Sequence, residues 1–528
     1  MATQVIDVDR LDLSNASEGV VFPSLTEAER DALASVPTGT IVRNSTAEEL
    51  QVYDGSGWVA STPANQWAAN TLRVSLRGDD TTAATSHTTV NGVKLWDSSR
   101  PFLTLYAAVT ASSAGDTIVV ETGTYSMTNQ VEPVAFTTIK CDPGVTFSFD
   151  TTAEPGFLCQ SIDCFTLLGF PDVVAPTSRV GYSFDCSTTP TKDVKLELGD
   201  VSGFASGMTF AGDVHIDAGH ISSPGRAGGG SNLCRLITFL NCQNGSYLKC
   251  KSLTQEDGFL YLGYGTINDH YINVEVSGGI SVHMNNTHTS AGSYGMFYHP
   301  QSTSSIGNAY FCLRAKTLVA TADLGTNLFW NAVRGNNPCR TVFEIDIDHI
   351  DAVGQGGGVV SYSASTASGQ TEVDVLADTY IKAKTFVYSK TLGFRTWNQF
   401  ASGIAPATGA SPVTARVIAD VGKVLRKQVD SNSGTSYFAF STVDNDNDCE
   451  SEIILKGGDW VTEGTNNSFL AGTSASSTAD RHPVRHQFNN VNVSGLVGGV
   501  LGSVGLYRVT GEVTEDNEIE FPYIDYGY

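Results

Sequence analysis

The chain has 528 residues, of which 41% are hydrophobic, 16% charged and 53 glycine. Lys and Arg total 31 against 55 Asp and Glu, a formal net charge of -24. That balance repels nucleic acid and anionic membranes and excludes binding through phosphates. Few charges, much Gly, Ser and Thr, and abundant Val and Ile point to an all-β chain with many turns.

No apolar run approaches a membrane span; the nearest, LVGGVLGSVGLY (496–507), is short and glycine-rich. The start lacks a basic stretch followed by an apolar one, so the expectation is synthesis in a cytoplasm and no membrane insertion. The ten Cys show no CxxC and no zinc spacing. They are expected to be reduced core thiols, and no cofactor is implied.

Residues 1–62 read as a separate small α+β module. Ser24 and Glu27 are spaced as a capping box, followed by a helix through Ala34 with Leu25, Ala28, Ala32 and Leu33 facing inward. Thr40 to Arg43 and Leu50 to Tyr53 read as a hairpin, and Asp54-Gly55 turns the chain before Trp58. The string FPSLTEAERDALASVPTGTIVRNSTAEELQVYDGSGWV (22–59) resembles a module near the ends of bacteriophage and prophage fibre and tail proteins. Phe22, Pro23, Arg30, Leu33, Gly39, Asn44, Leu50, Tyr53, Gly55 and Trp58 carry that resemblance. It implies a virion protein attached by this module to the particle or to other virion proteins.

Residues 63–97 read as a polar linker with a strand or two. The stretch 98–125 reads as a helix, a loop, a strand over Thr117 to Val120, and a tight turn closed by Gly123 and Tyr125. Pro101 suits the first helical turn, with Ser98 or Ser99 as cap. Phe102, Leu105, Ala108 and Val109 share one helical face. Gly78, Asp79, Pro101, Phe102, Thr104, Ala107, Gly115, Asp116, Gly123 and Tyr125 resemble the opening of pectin-lyase-like right-handed β-helices. In that family a helix covers the open end of the solenoid.

From Thr137 a repeat recurs with irregular length but regular grammar. Each unit begins with an alternating strand, such as KLELGDV (195–201), YLKCKSL (247–253), FEIDIDHI (343–350) and VDVLADTYI (373–381). A second, often aromatic strand follows in most units, such as LITFL (236–240) and LFWNAV (328–333). Alternation sends Leu196 and Leu198 to one face and Lys195 and Glu197 to the other. The expected fold is all-β: a right-handed single-stranded parallel β-helix over 98–493, capped by the 98–125 helix. The acidic, Tyr-rich segment 494–528 reads as a cap or oligomerisation segment.

Three constellations bear chemistry. Hydrolysis of a glycosidic bond needs two carboxyls about 5 to 9.5 Å apart. Asp346 and Asp348 share a strand face at about the right spacing; Glu344 and Asp351 extend the patch, and Asp374 is a candidate one row on. Asp444, Asp446, Asp448 and Glu450 alternate like oxygen ligands of calcium, although the loop lacks the glycine of an EF-hand. Tyr264, Tyr294, Tyr298 and Trp330 are candidates for stacking on sugars. No nucleophile is named by residue identity, since many Ser allow many arbitrary triads.

The resemblances together imply a phage virion protein, a head fibre, tail fibre or spike that adheres to a host-surface glycan or receptor. Fibres of this kind are commonly homotrimers, assembled in the host cytoplasm. The alternatives are a tailspike depolymerase that cleaves host polysaccharide, by hydrolysis or as a lyase, and a structural connector or decoration with no ligand.

Overall fold

The computed structural model of the chain describes residues 24–38, 40–46, 49–53, 55–61, 71–90, 93–150, 156–159, 164–225, 235–240, 245–264, 270–284, 295–300, 308–322, 327–335, 339–352, 358–365, 375–389, 392–400, 413–427, 436–444, 449–463, 468–475, 484–495, 508–515 and 518–525. Strands dominate, and no described helix is long and apolar enough to cross a membrane. The chain separates into two compact units, residues 1–71 with 85–100, and residues 72–84 with 101–528.

In the first unit, strand Ser24–Leu25 lies parallel to Ile41–Asn44. That strand runs antiparallel to Glu49–Tyr53, which pairs antiparallel with Trp58–Ser61. Helix α1 is Glu27–Asp31. Its capping box is Thr26 with Glu29, not Ser24 with Glu27. The Thr26 hydroxyl accepts from Glu29 N at 3.3 Å, and Thr26 N donates to Glu29 Oε2 at 2.8 Å. Ser24 is committed to a strand and is unavailable as a cap. The helix also stops short of Ala34: Ala32 is the C-cap, and Ser35 takes a left-handed φ of 59°.

Ala28, Ala32 and Leu33 are exposed rather than inward, Leu33 by 42%. The side chain that α1 buries is Arg30. Its guanidinium donates to Gln51 and lies 6.0 Å from the Trp58 ring centroid. A buried hydrogen bond and a cation–π contact thus do the work expected of an apolar face. A separate hairpin, His87–Val90 with Val93–Trp96, belongs to the same unit.

Near the start of the second unit lie α2 (Asp80–Thr85) and α3 (Leu105–Ala111). Pro101 and Phe102 do not begin α3. Phe102 N donates to Arg73 O at 2.8 Å and Ser75 N donates to Phe102 O at 2.9 Å, so this pair is extended and bridges the strand Thr71–Val74. Thr104, not Ser98 or Ser99, caps α3, accepting from Ala107 N at 3.1 Å. Asp80 fixes that cap: its carboxylate accepts Leu103 N at 2.8 Å, Thr104 N at 3.0 Å and the Thr104 hydroxyl at 2.8 Å. Leu105, Ala108 and Val109 are buried on one face, as their spacing predicts. The helix packs on Thr117–Val120 and Gly123–Met127. The expected tight turn at Gly123 and Tyr125 is therefore the second of these strands.

From Thr117 onward the strands pair in parallel ladders. The first ladder runs Thr117–Val120, Thr138–Cys141, Thr166–Leu168 and then the C-terminal part of Asp172–Leu198. It continues through Val201–Ser223, Ser246–Gln255, His270–Met284, Ala309–Ala322 and Cys339–Ala352. Val375–Tyr388, Val413–Arg426, Cys449–Lys456 and Val484–Ser494 follow. The second ladder leaves Val201–Ser223 for Arg235–Leu240 and proceeds through Phe259–Tyr264, Gly295–Pro300 and Asn327–Gly335. It ends with Val359–Ser365, Leu392–Phe400, Ser436–Asp444 and Ser468–Ala475. Beyond Val484–Ser494, Arg508–Glu515 pairs in parallel with it and antiparallel with Glu518–Asp525.

The register keeps one inward column unbroken. It passes from Ile118 through Ile139, Leu167, Leu196 and Ile216 to Ile345, Ile381, Leu455 and Phe488, none more than 3% exposed. Single rows cannot bury such a face alone, so each row depends on the rows it pairs with. Phe329 of the second ladder meets Phe343 of the first at 5.8 Å, which places one core between the ladders. Cys141, Cys159, Cys186, Cys250 and Cys312 are buried free thiols, and Cys339 is buried as well. Burial pushes the Cys250 thiol up to about 12.

Candidate functional site

The outer face of the first ladder holds the candidate carboxylates. In FEIDIDHI, Phe343, Ile345 and Ile347 are buried, which turns Glu344, Asp346 and Asp348 outward. Each acid meets a partner from a neighbouring row. Lys382 Nζ lies 4.0 Å from Asp346 Oδ2, and Lys384 Nζ lies 3.0 Å from Asp348 Oδ1. Arg314 is the register partner of Asp346 on the other side. The Lys384 hydrogen bond holds the Asp348 carboxyl below the usual range. A general acid needs the opposite shift. Glu344 accepts the Tyr310 hydroxyl; burial first, and then that carboxylate, raise the Tyr310 phenol. Asp351 is exposed further along the strand, and Asp374 lies outside the described residues.

Asp346 belongs to a longer pattern. Its column runs through register partners Asp217, Lys249, Glu275 and Arg314 before it. Lys382, Asp420 and Lys456 follow. All of these side chains are exposed or half-buried. A second column begins at Asp378, whose carboxylate is fully buried. Arg340 Nη2 donates to it at 2.7 Å and Arg416 Nε at 2.9 Å. Arg416 also lies 3.7 Å from Glu452. Asp378 sits within VDVLADTYI, where strand alternation alone marks it as an ordinary outward residue. The usable signal is Arg416, which falls at the same offset once the apolar columns of the two strands are aligned.

Ser and His do meet, but inside the core. Ser441 Oγ lies 2.9 Å from His486 Nε2 and 2.8 Å from Thr396 Oγ1. All three residues are inaccessible to solvent. Burial pushes the His486 imidazole down to about 3, so it is neutral near neutrality. Fully buried and neutral, this contact serves as a hydrogen bond within the core, and its geometry alone does not mark a nucleophile with its base.

The other candidates fall as follows. Asp446, Asp448 and Tyr294 lie outside the described residues. Asp444 and Glu450 sit in separate strands, Ser436–Asp444 and Cys449–Lys456, and Tyr264 ends the strand Phe259–Tyr264. Tyr298 is the register partner of Trp330. Trp330 is only 8% exposed and packs against Tyr362 at 6.1 Å, within a cluster that includes Ala332 and Val360. An open groove of about 470 Å³, absent from the sequence reading, is lined by Phe170, Asp200, Asp217, Lys249, Lys251 and Ser277. Phe170 is 50% exposed and holds a left-handed φ of 54°. Backbone strain of this kind clusters at functional sites, but Phe136 shares both features, with a φ of 61° and 54% exposure, and does not line this groove.

These features define a mostly β protein with long parallel ladders, a charged outer face and an aromatic-edged surface groove. Residues 3–75 match the family model of the phage tail-like trimerisation region, which supports a phage tail-like protein and a homotrimer. No curated protein and no solved structure matches the chain.

Proposed function

We propose that the chain is the protomer of a trimeric phage fibre or spike that adheres to the host surface. Its N-terminal region joins three copies and fixes them to other virion proteins; its long β part carries the contact with a host glycan or receptor. The observation that carries this reading is the match of residues 3–75 to a trimerisation region of phage tail-like proteins. The β part is a right-handed parallel β-helix with α3 as its lid. Row-to-row parallel pairing around one core supports this, as does the packing of α3 on the first strands. Cleavage of polysaccharide is not part of the proposal, because Asp346 and Asp348 are matched to lysines and Asp348 is held ionised.

The test labels the protein on intact virions and adds the purified chain to an adsorption assay. The expected result is label at a fibre or spike position and competition with virion adsorption by a trimeric species. A label on no particle, or a purified chain that is monomeric and does not compete, overturns the reading.

A further inference from the structure

Charge alternates along the outer column from Asp217 to Lys456, over eight successive rows; the alternation is bounded by Glu197, which faces Asp217 with the same sign, and by the uncharged Asn489 beyond Lys456. The chain holds 55 acidic against 31 basic residues, so a chance charged pair is like-signed slightly more often than opposite-signed. A second column, four residues earlier in each strand, repeats the rule. Asp378 pairs with Arg416, Arg416 with Glu452, and Glu452 with Arg485, where the alternation stops because Arg485 faces Arg508. The two columns run in opposite phase. Strand Val375–Tyr388 carries Asp378 and Lys382, Val413–Arg426 carries Arg416 and Asp420, and Cys449–Lys456 carries Glu452 and Lys456.

The core does not supply this information. Ile216, Leu248, Val274, Leu313 and Ile345 are aliphatic residues of similar size, and such swaps are tolerated in cores. A strand that skipped its neighbour and paired with the next row would bury the same column. The charges do discriminate. Skipping one row sets Lys249 beside Arg314, Glu275 beside Asp346, and Arg314 beside Lys382. The second column behaves likewise, with Asp378 falling beside Glu452. Opposite charges on paired strands stabilise and like charges destabilise. Rows stand about 4.8 Å apart, inside the Debye length of about 8 Å at physiological salt.

We infer that the two alternating columns are a row-order code, which holds each strand to its sequence neighbour during folding by penalising pairing with the row beyond. This role is independent of what the assembled protein binds. It gives Asp346 an employment other than chemistry.

The test refolds the full chain from denaturant and measures the yield of native, protease-resistant protein by size exclusion. The double variant Lys249→Asp with Asp346→Lys keeps composition and net charge but creates like neighbours at four of the column's contacts. Its refolding yield at low salt is expected to fall on the order of tenfold. It should recover in about 1 M salt, where the Debye length is about 3 Å. A second variant inverts all eight signs and keeps the alternation; it is expected to refold as the parent does. The inference is overturned if the double variant refolds normally at low salt, if salt fails to rescue it, or if the fully inverted chain refolds as poorly.

Discussion

Arg416 Nε donates to Asp378 Oδ1 at 2.9 Å, and that carboxylate has no exposed surface. Removing one member of a buried ion pair leaves the others uncompensated and typically costs about 3–5 kcal/mol. Here Arg340 and Arg416 are 50% and 29% exposed and regain water when Asp378 is neutralised. Asp378→Asn is therefore expected to cost about 2–3 kcal/mol, at or below the low end of that range. The measurement is the shift of the denaturant midpoint. A shift within about 0.5 kcal/mol, as for an ordinary surface site, would remove Asp378 from the account of stability.

His486 makes acid destabilising. Burial holds its folded pKa at about 3 against 6.5 for the free side chain. The unfolded chain therefore binds a proton below pH 6.5 that the folded chain refuses. The contribution is complete above 6.5 and declines as pH falls through the interval down to about 3. Its full span is on the order of a few kcal/mol. His486→Gln, which keeps a polar partner for Ser441, should flatten the decline in unfolding midpoint between pH 7 and pH 4 relative to the parent. Parallel pH curves for the two proteins would show that His486 is protonated in the folded state.

Much of the strand pattern was legible because alternation is a local property. In FEIDIDHI the inward Phe343, Ile345 and Ile347 follow from spacing alone, and so do Leu196, Leu198 and Cys250. What was not legible needs partners from distant rows. Lys382 and Lys384 are separated in sequence from Asp346 and Asp348 by the second-ladder strand Val359–Ser365 and by connections whose length varies between units, so no spacing predicts their meeting. Arg30 was hidden for a different reason: a charged residue on a short helix reads as solvated until Trp58 and Gln51 are brought to it. The caps differ from expectation because Thr26 and Thr104 compete with nearby serines of higher N-cap propensity. Backbone pairing at Ser24 and the Asp80 carboxylate decided between them.

Gly78 is set by crossing backbones. A Cβ there would lie 2.3 Å from Phe102 O and 2.5 Å from Pro101 O. Neither atom is free to yield, because Phe102 is bonded to Arg73 and Ser75 and Pro101 O accepts Asp79 N. Gly78→Ala should cost more than about 2 kcal/mol, beyond the ordinary run of surface substitutions, and should loosen the α3 cap held by Asp80. Thermal unfolding and amide exchange at Thr104 and Ala107 report both effects. An alanine variant of parental stability would mean that the loop relaxes without consequence.

Phe170 offers a test of the proposed adhesion that is independent of stability. Its φ of 54° is strained for a bulky side chain and suits glycine. Phe170→Gly should therefore leave stability within about 1 kcal/mol of the parent. If the groove receives a host sugar, loss of the ring should weaken competition with virion adsorption by roughly tenfold, the scale of one aromatic contact. Unchanged competition in a stable variant would direct the receptor contact away from this groove.

Leu33 bears on assembly. It is 42% exposed beside the exposed Ala32, and Ile41 is 36% exposed, all within the stretch that matches a trimerisation region. On the proposed trimer, apolar side chains left open in a single copy are the first surface to test for contact between copies, and a charge buried there without a partner is costly. Leu33→Asp should shift the purified chain from trimer towards monomer at micromolar concentration, read by light scattering. Because Leu33 lies beyond α1 and outside every strand, the circular dichroism of the dissociated chain should keep its β signature. A variant that remains trimeric would place the contact between copies on another face of the N-terminal unit.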